Sequence, residues 1–132
     1  MLSNKAFLTG VVLGLLLCFT LSLIPVRQAL DISAAILVAA GAVYFGTATA
    51  NHHHRRRKLV LEAVVGIGFI LLALLGLWVS PLIMATGYLL HGVWDFFHHP
   101  RRVGAKLEAK WYPPVCLGFD WLVGAFIVLK YV

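Results

Sequence analysis

Residues 59–100 read LVLEAVVGIGFILLALLGLWVSPLIMATGYLLHGVWDFFHHP. As one helix this run would be about 60 Å long at ~1.5 Å per residue, roughly twice the ~30 Å hydrocarbon thickness of a bilayer. Ser80-Pro81 stands near its middle. Proline has no amide hydrogen to donate and suits the first turn of a helix, not its interior. The stretch therefore predicts two apolar helices, Leu59 to Val79 and Leu82 to about Phe97, folded back on each other as a hairpin.

The second of these helices ends in the chain's most unusual residues. His91, Asp95 and His98 stand at i, i+4 and i+7 and share one helical face; His99 lies slightly off it, and Pro100 closes the helix. Imidazoles and a carboxylate on one stripe point to metal ligation or proton relay. In the first helix, Glu62 lies near the start, and Gly66, Phe69, Ala73 and Gly76 continue its stripe. An acid on a face of small residues predicts packing against protein and not against lipid.

Composition agrees. Of 132 residues, 61% are hydrophobic and 12% charged, and mean hydropathy is +0.92. A soluble domain has about 45–50% apolar and about 25% charged residues, so this is the composition of an integral membrane protein of one domain, 1–132. The net charge of +6 is gathered in clusters beside apolar runs. That is the positive-inside pattern, and it excludes the soluble basic face a nucleic-acid binder needs. Gly-rich phosphate loops, dinucleotide fingerprints and GxSxG elbows are absent from the sequence, so nucleotide use and serine hydrolysis have no support.

The other runs complete the bundle. Residues 6–24 are too long and too apolar for a cleaved signal, and Gly10 and Gly14 form a GxxxG pair for a close helix neighbour. A short connection over 25–31 leads to a run from Ile32 to Ala50, in which Ala42, Gly46 and Ala50 predict a small-residue packing face. Asn51 to Lys58 (NHHHRRRK) reads as an anchor to anionic lipid headgroups, with His52, His53 and His54 as further candidate ligands. A second basic segment, 101–110, is expected to have the same affinity for headgroups. Trp111 and Tyr112 then mark an interface, and Pro113-Pro114 opens a last helix, 114–131, that carries Asp120. Cys18 and Cys116 are expected at different depths, which argues against a disulfide.

The expected fold is all-α: a five-transmembrane-helix bundle with spans at about 6–24, 32–50, 59–79, 82–97 and 114–131. Nine of the eleven basic residues then fall on one side, which sets the N-terminus in the cytoplasm and the C-terminus outside, in the cell's inner membrane. On that topology Glu62, His91, Asp95 and Asp120 all lie within roughly 4–12 Å of the cytoplasmic boundary. Ionisable groups in hydrocarbon cost several kcal/mol unless paired, so these residues are expected to answer one another.

The chemistry stays open between several readings. His91, His98, His99, Asp95 and Asp120 are candidate ligands for zinc or non-haem iron; Asp95, Asp120 and Glu62 are candidates for a general base or an orienting group. Haem held by a histidine pair is a further possibility. Such a site would suit an enzyme acting on a lipid or other apolar substrate. The alternatives are an accessory or assembly subunit, as a homo-oligomer or within a larger complex, whose polar network is structural, and a small ion or proton conduit.

The pattern His91-x-x-Trp94-Asp95-x-x-His98-His99, followed by Cys116-x-x-Phe119-Asp120, resembles a family of small bacterial integral membrane proteins of unknown function. The Ala-rich run from Ala34 to Tyr44 and Glu62 fit the same resemblance. It implies a multi-pass membrane protein and brings no activity with it. Two features depart from the pattern: the His/Arg octet looks like an insertion, and Ala109 to Val115 lacks serines, so a serine nucleophile is not expected.

Overall fold

The computed structural model describes residues 4–50, 56–99 and 109–132, which form five helices with no strand among them. They are α1 (Asn4–Ser22), α2 (Val26–Ala50), α3 (Arg56–Trp78), α4 (Pro81–His98) and α5 (Tyr112–Tyr131). The expected break at Ser80-Pro81 is present: the Ser80 hydroxyl accepts from the Leu82 amide at 3.3 Å, and Pro81 occupies the first turn of α4. Both prolines of α5 likewise fall in its first turn.

Two expectations are corrected. Residues 26–31 are not a connection but the first turns of α2, because Pro25 favours helix initiation and Arg27 pairs with Asp31 at 3.2 Å across one turn. The stripe of Ala42, Gly46 and Ala50 does not pack inward. All three are exposed, and a side chain at Gly46 would meet nothing within 4 Å. The face α2 buries instead contains Ser33, Leu37, Gly41, Tyr44 and Ala48, whose larger members fill the core that small residues alone would leave void.

Helix α4 is the centre of the assembly. It packs between α3 and α5 and also touches α2; α2 lies along α3, and α1 lies along the far side of α5. Leu37, Met84, Tyr88, Val123 and Ile127 fill the middle with little or no exposed surface. The Tyr88 hydroxyl donates to the Ser33 carbonyl at 2.6 Å, and Ser33 in turn donates to the Ala29 carbonyl at 2.8 Å, so polar atoms in the core are satisfied. The stripe predicted for α3 is its buried face: Glu62, Gly66, Phe69, Ala73 and Gly76.

The GxxxG pair has its partner. Gly10 of α1 lies against the Val115 carbonyl of α5, and Gly118 of α5 lies against the Phe7 carbonyl of α1. A Cβ at either glycine would run into backbone, so α1 and α5 lie side by side at a separation that only glycine permits. Outside the core the surface is apolar: Phe19 is 66% exposed, Val64 62% and Leu129 87%. α1, α2, α3 and α5 are long and apolar enough to cross a membrane. Neither cysteine is in a disulfide.

This packing predicts unequal tolerance among glycines. Gly10→Val should lower the unfolding free energy in detergent by about 1–3 kcal/mol or more through overpacking, whereas Gly46→Val should stay within about 0.5 kcal/mol of wild type. Thermal unfolding of the two variants checks it; equal melting points would contradict the assigned α1–α5 contact.

Candidate functional site

Tyr44 lies near the end of α2, Glu62 near the start of α3, Asp120 early in α5, and His91, Asp95 and His98 in the last turns of α4. From α2 to α5 each helix runs opposite to the one before it, so all six arrive at one level of the bundle. Each is buried, with Asp95 and His91 at 0% exposure. Away from this level the ionisable residues of the described helices sit near helix ends: Lys5 in α1, Arg27 and Asp31 in α2, Arg56, Arg57 and Lys58 in α3, and Lys130 in α5.

The helical stripe splits into two groups. In the first, His91 Nδ1 lies 2.7 Å from Asp120 Oδ2 and 3.3 Å from Asp95 Oδ2. Nδ1 donates to Asp120 when that acid is ionised, while Asp95 Oδ2 lies beside it without a hydrogen bond. Asp95 also accepts from the Tyr44 hydroxyl at 2.5 Å through Oδ1. The His91 ring packs edge-to-face against Phe69, with centroids 4.7 Å apart. His91 Nε2 and Asp95 Oδ2 have no hydrogen-bond partner among the described residues. Buried polar atoms left so are uncommon and call for an explanation, such as an ion.

In the second group, His98 Nδ1 donates to the Trp94 carbonyl at 2.9 Å, and Nε2 lies 2.9 Å from Glu62 Oε1. A carbonyl can only accept, so Nδ1 carries a proton. Nε2 then either donates to the Glu62 carboxylate or accepts from its protonated form. In both cases the pair as a whole is neutral. Stacking of the His98 ring on Tyr44, centroids 4.0 Å apart, and on Trp94 at 4.9 Å holds the imidazole in place. Both ring nitrogens of His98 are thus engaged, which leaves no lone pair there for an ion or a haem.

Among the described residues, His91, Asp95 and Asp120 form the group that could hold a metal ion: one ligand atom from each lies within 4.8 Å of the others. The expected set of His91, His98, Asp95 and Asp120 is therefore divided, with His98 and Glu62 forming a pair beside the group. His99 caps the end of α4, where its amide donates to the Asp95 and Phe96 carbonyls at 3.2 Å, and it is not in the group. His52, His53 and His54 lie outside the described residues, as do most of the two basic loops.

Tyr44 was not foreseen as part of the site. A tyrosine in an Ala-rich helix must find a partner for its hydroxyl once buried, and that signal was present in the sequence. What the sequence could not show is that the partner would be Asp95, 51 positions away.

No curated protein and no solved structure matches the chain. One family model does match, over residues 5–131, and it carries the description "Family of unknown function (DUF6010)". The match takes in all five helices and both groups of the site, and so nearly the whole chain belongs to the family of unknown function DUF6010.

Proposed function

We propose that the chain is an integral membrane protein that binds one divalent metal ion at His91, Asp95 and Asp120, near the cytoplasmic face, and uses it on a lipid or other apolar substrate. The observation that carries this reading is the charge balance of the buried cluster. Three carboxylates face two imidazoles in an apolar bundle. The Glu62–His98 pair is neutral by itself. What remains is two carboxylates against one imidazole, and a buried uncompensated charge costs several kcal/mol. A divalent cation with neutral His91 brings the sum to zero and gives Asp95 Oδ2 the partner it lacks.

One imidazole and two carboxylates make an oxygen-rich set. Such a set suits zinc or iron(II), and it admits manganese more readily than two histidines would. Three protein ligands leave room for a further oxygen donor, the arrangement of catalytic rather than structural ions. Tyr44 would hold Asp95 in place from outside the ligand set, as outer hydrogen bonds do around metal sites.

The membrane reading rests on four long apolar helices and the apolar surface around them. Helix α4 is less apolar because it carries the site, but its 18 residues reach about 27 Å and it lies packed between α3 and α5. We take it as the fourth of five spans, with the N-terminus inside and the C-terminus outside. Arg56, Arg57 and Lys58 at the start of α3 then face anionic headgroups.

The closed Glu62–His98 pair favours a second reading, an accessory or assembly subunit whose polar contacts only fix helix register. A conduit would need polar groups across the full thickness, and the buried acids and imidazoles lie at one level.

Protein purified without chelators should carry close to one zinc, iron or manganese ion per chain by elemental mass spectrometry. His91→Ala and Asp120→Asn should each lower that content about tenfold or more, while Glu62→Gln keeps it. Wild-type protein that is folded but lacks metal under all three supplements would leave the accessory reading standing. Because an ion at about 100 times its Kd adds about 2.7 kcal/mol to the folded state, chelation should lower the melting point of wild type by several degrees and leave Asp120→Asn unmoved. For topology, alkaline phosphatase fused at the C-terminus should be active and fused after Lys58 inactive; the reverse result would contradict the orientation, and activity in both or in neither would contradict five spans.

A further inference from the structure

Helices α2 and α5 are not among the packed pairs of the bundle, and a crevice of about 260 Å³ runs between them. On the α2 side it is walled by Ile36, Ala39, Ala40 and Val43, one stripe at i, i+3, i+4 and i+7. This stripe is distinct from the inward face of Leu37, Gly41 and Tyr44. Ala39 and Ala40 offer nothing beyond Cβ, so α2 does not fill the gap with its own side chains. On the α5 side the crevice reaches Cys116 and Asp120. Asp120 is also the carboxylate that holds His91 at 2.7 Å. The crevice thus joins the outer, apolar surface of the bundle to a residue of the candidate metal group.

We infer that this crevice is a lateral entrance that admits a single-chain amphiphile with an oxygen-donor headgroup, such as a fatty acid, from the inner leaflet. The inference deepens the metal reading by naming the class of substrate, and it rests on that reading for the headgroup's contact. The walls match one hydrocarbon chain, because they are apolar along α2 and turn polar only at Tyr112, Cys116 and Asp120. The volume lies below the roughly 300–1,000 Å³ of pockets that enclose drug-sized ligands, which suits one chain and excludes two. A carboxylate headgroup beside Asp95 and Asp120 would be repelled unless a cation lay between them, so the same ion that balances the cluster would make the headgroup welcome.

The test uses wild-type protein reconstituted in phosphatidylethanolamine–phosphatidylglycerol vesicles that contain a fatty acid with a mid-chain diazirine. After illumination, adducts are mapped by mass spectrometry. Adducts should concentrate on residues 36–43 and 116–119, in excess over outward α3 positions such as Val60 and Val64. Ala40→Trp, which narrows the crevice from its α2 wall and alters no proposed ligand, should lower them about tenfold while metal content stays at the wild-type level. Adducts spread in proportion to exposed apolar surface, or unchanged in Ala40→Trp, would overturn the inference. Metal content read on the same samples keeps the two questions apart: wild type that holds its metal but shows no excess labelling of the crevice sinks the entrance alone, and absence of metal from wild type sinks the metal reading.

Discussion

The structure is organised by a constraint on charge. A bundle whose surface is apolar buries three carboxylates, out of reach of any solvent. Each therefore has to be met from within the protein. Glu62 is met by His98, and Asp120 by His91. Asp95 is met by Tyr44 on one oxygen and lies beside His91 on the other. These contacts tie α2, α3 and α5 to α4, so the polar cluster sets the register of four helices at one level. The remaining imbalance, two acids around a single imidazole, is the basis on which we propose a cation there.

Close helix packing makes this cluster possible. Apolar association between helices is weak in lipid, where tails are as apolar as leucine, so contact must come from shape. Gly10 and Gly118 let α1 and α5 meet backbone to backbone, while Gly41 and Gly66 bring α2 to α3. Where α2 faces α5, that closeness is missing, and the bundle has its crevice. The same alanines that fail to close the gap on α2 leave Asp120 at the floor of that crevice.

Much of this was legible in the sequence, and the reasons differ from residue to residue. Ser80-Pro81 marked the hairpin because proline acts through local geometry. The buried face of α3 was readable because an acid with Gly66, Ala73 and Gly76 on its stripe has only one sensible side to turn inward. The GxxxG pair named a contact, though not its partner. The small stripe of α2 misled, since small residues permit close approach without requiring it, and the face with Leu37 and Tyr44 buries more. The i, i+4, i+7 spacing placed His91, Asp95 and His98 on one face but could not tell which would meet Asp120 and which Glu62. That choice depends on the angles of α3 and α5 around α4, which no helical period contains.

The most direct test of the central claim is element-specific anomalous scattering from crystals of protein grown with zinc or manganese. The account predicts a single strong peak between α4 and α5, within bonding distance of His91, Asp95 and Asp120. Well-ordered helices with an intact Glu62–His98 pair and no peak there, or a peak held by other residues, would contradict it.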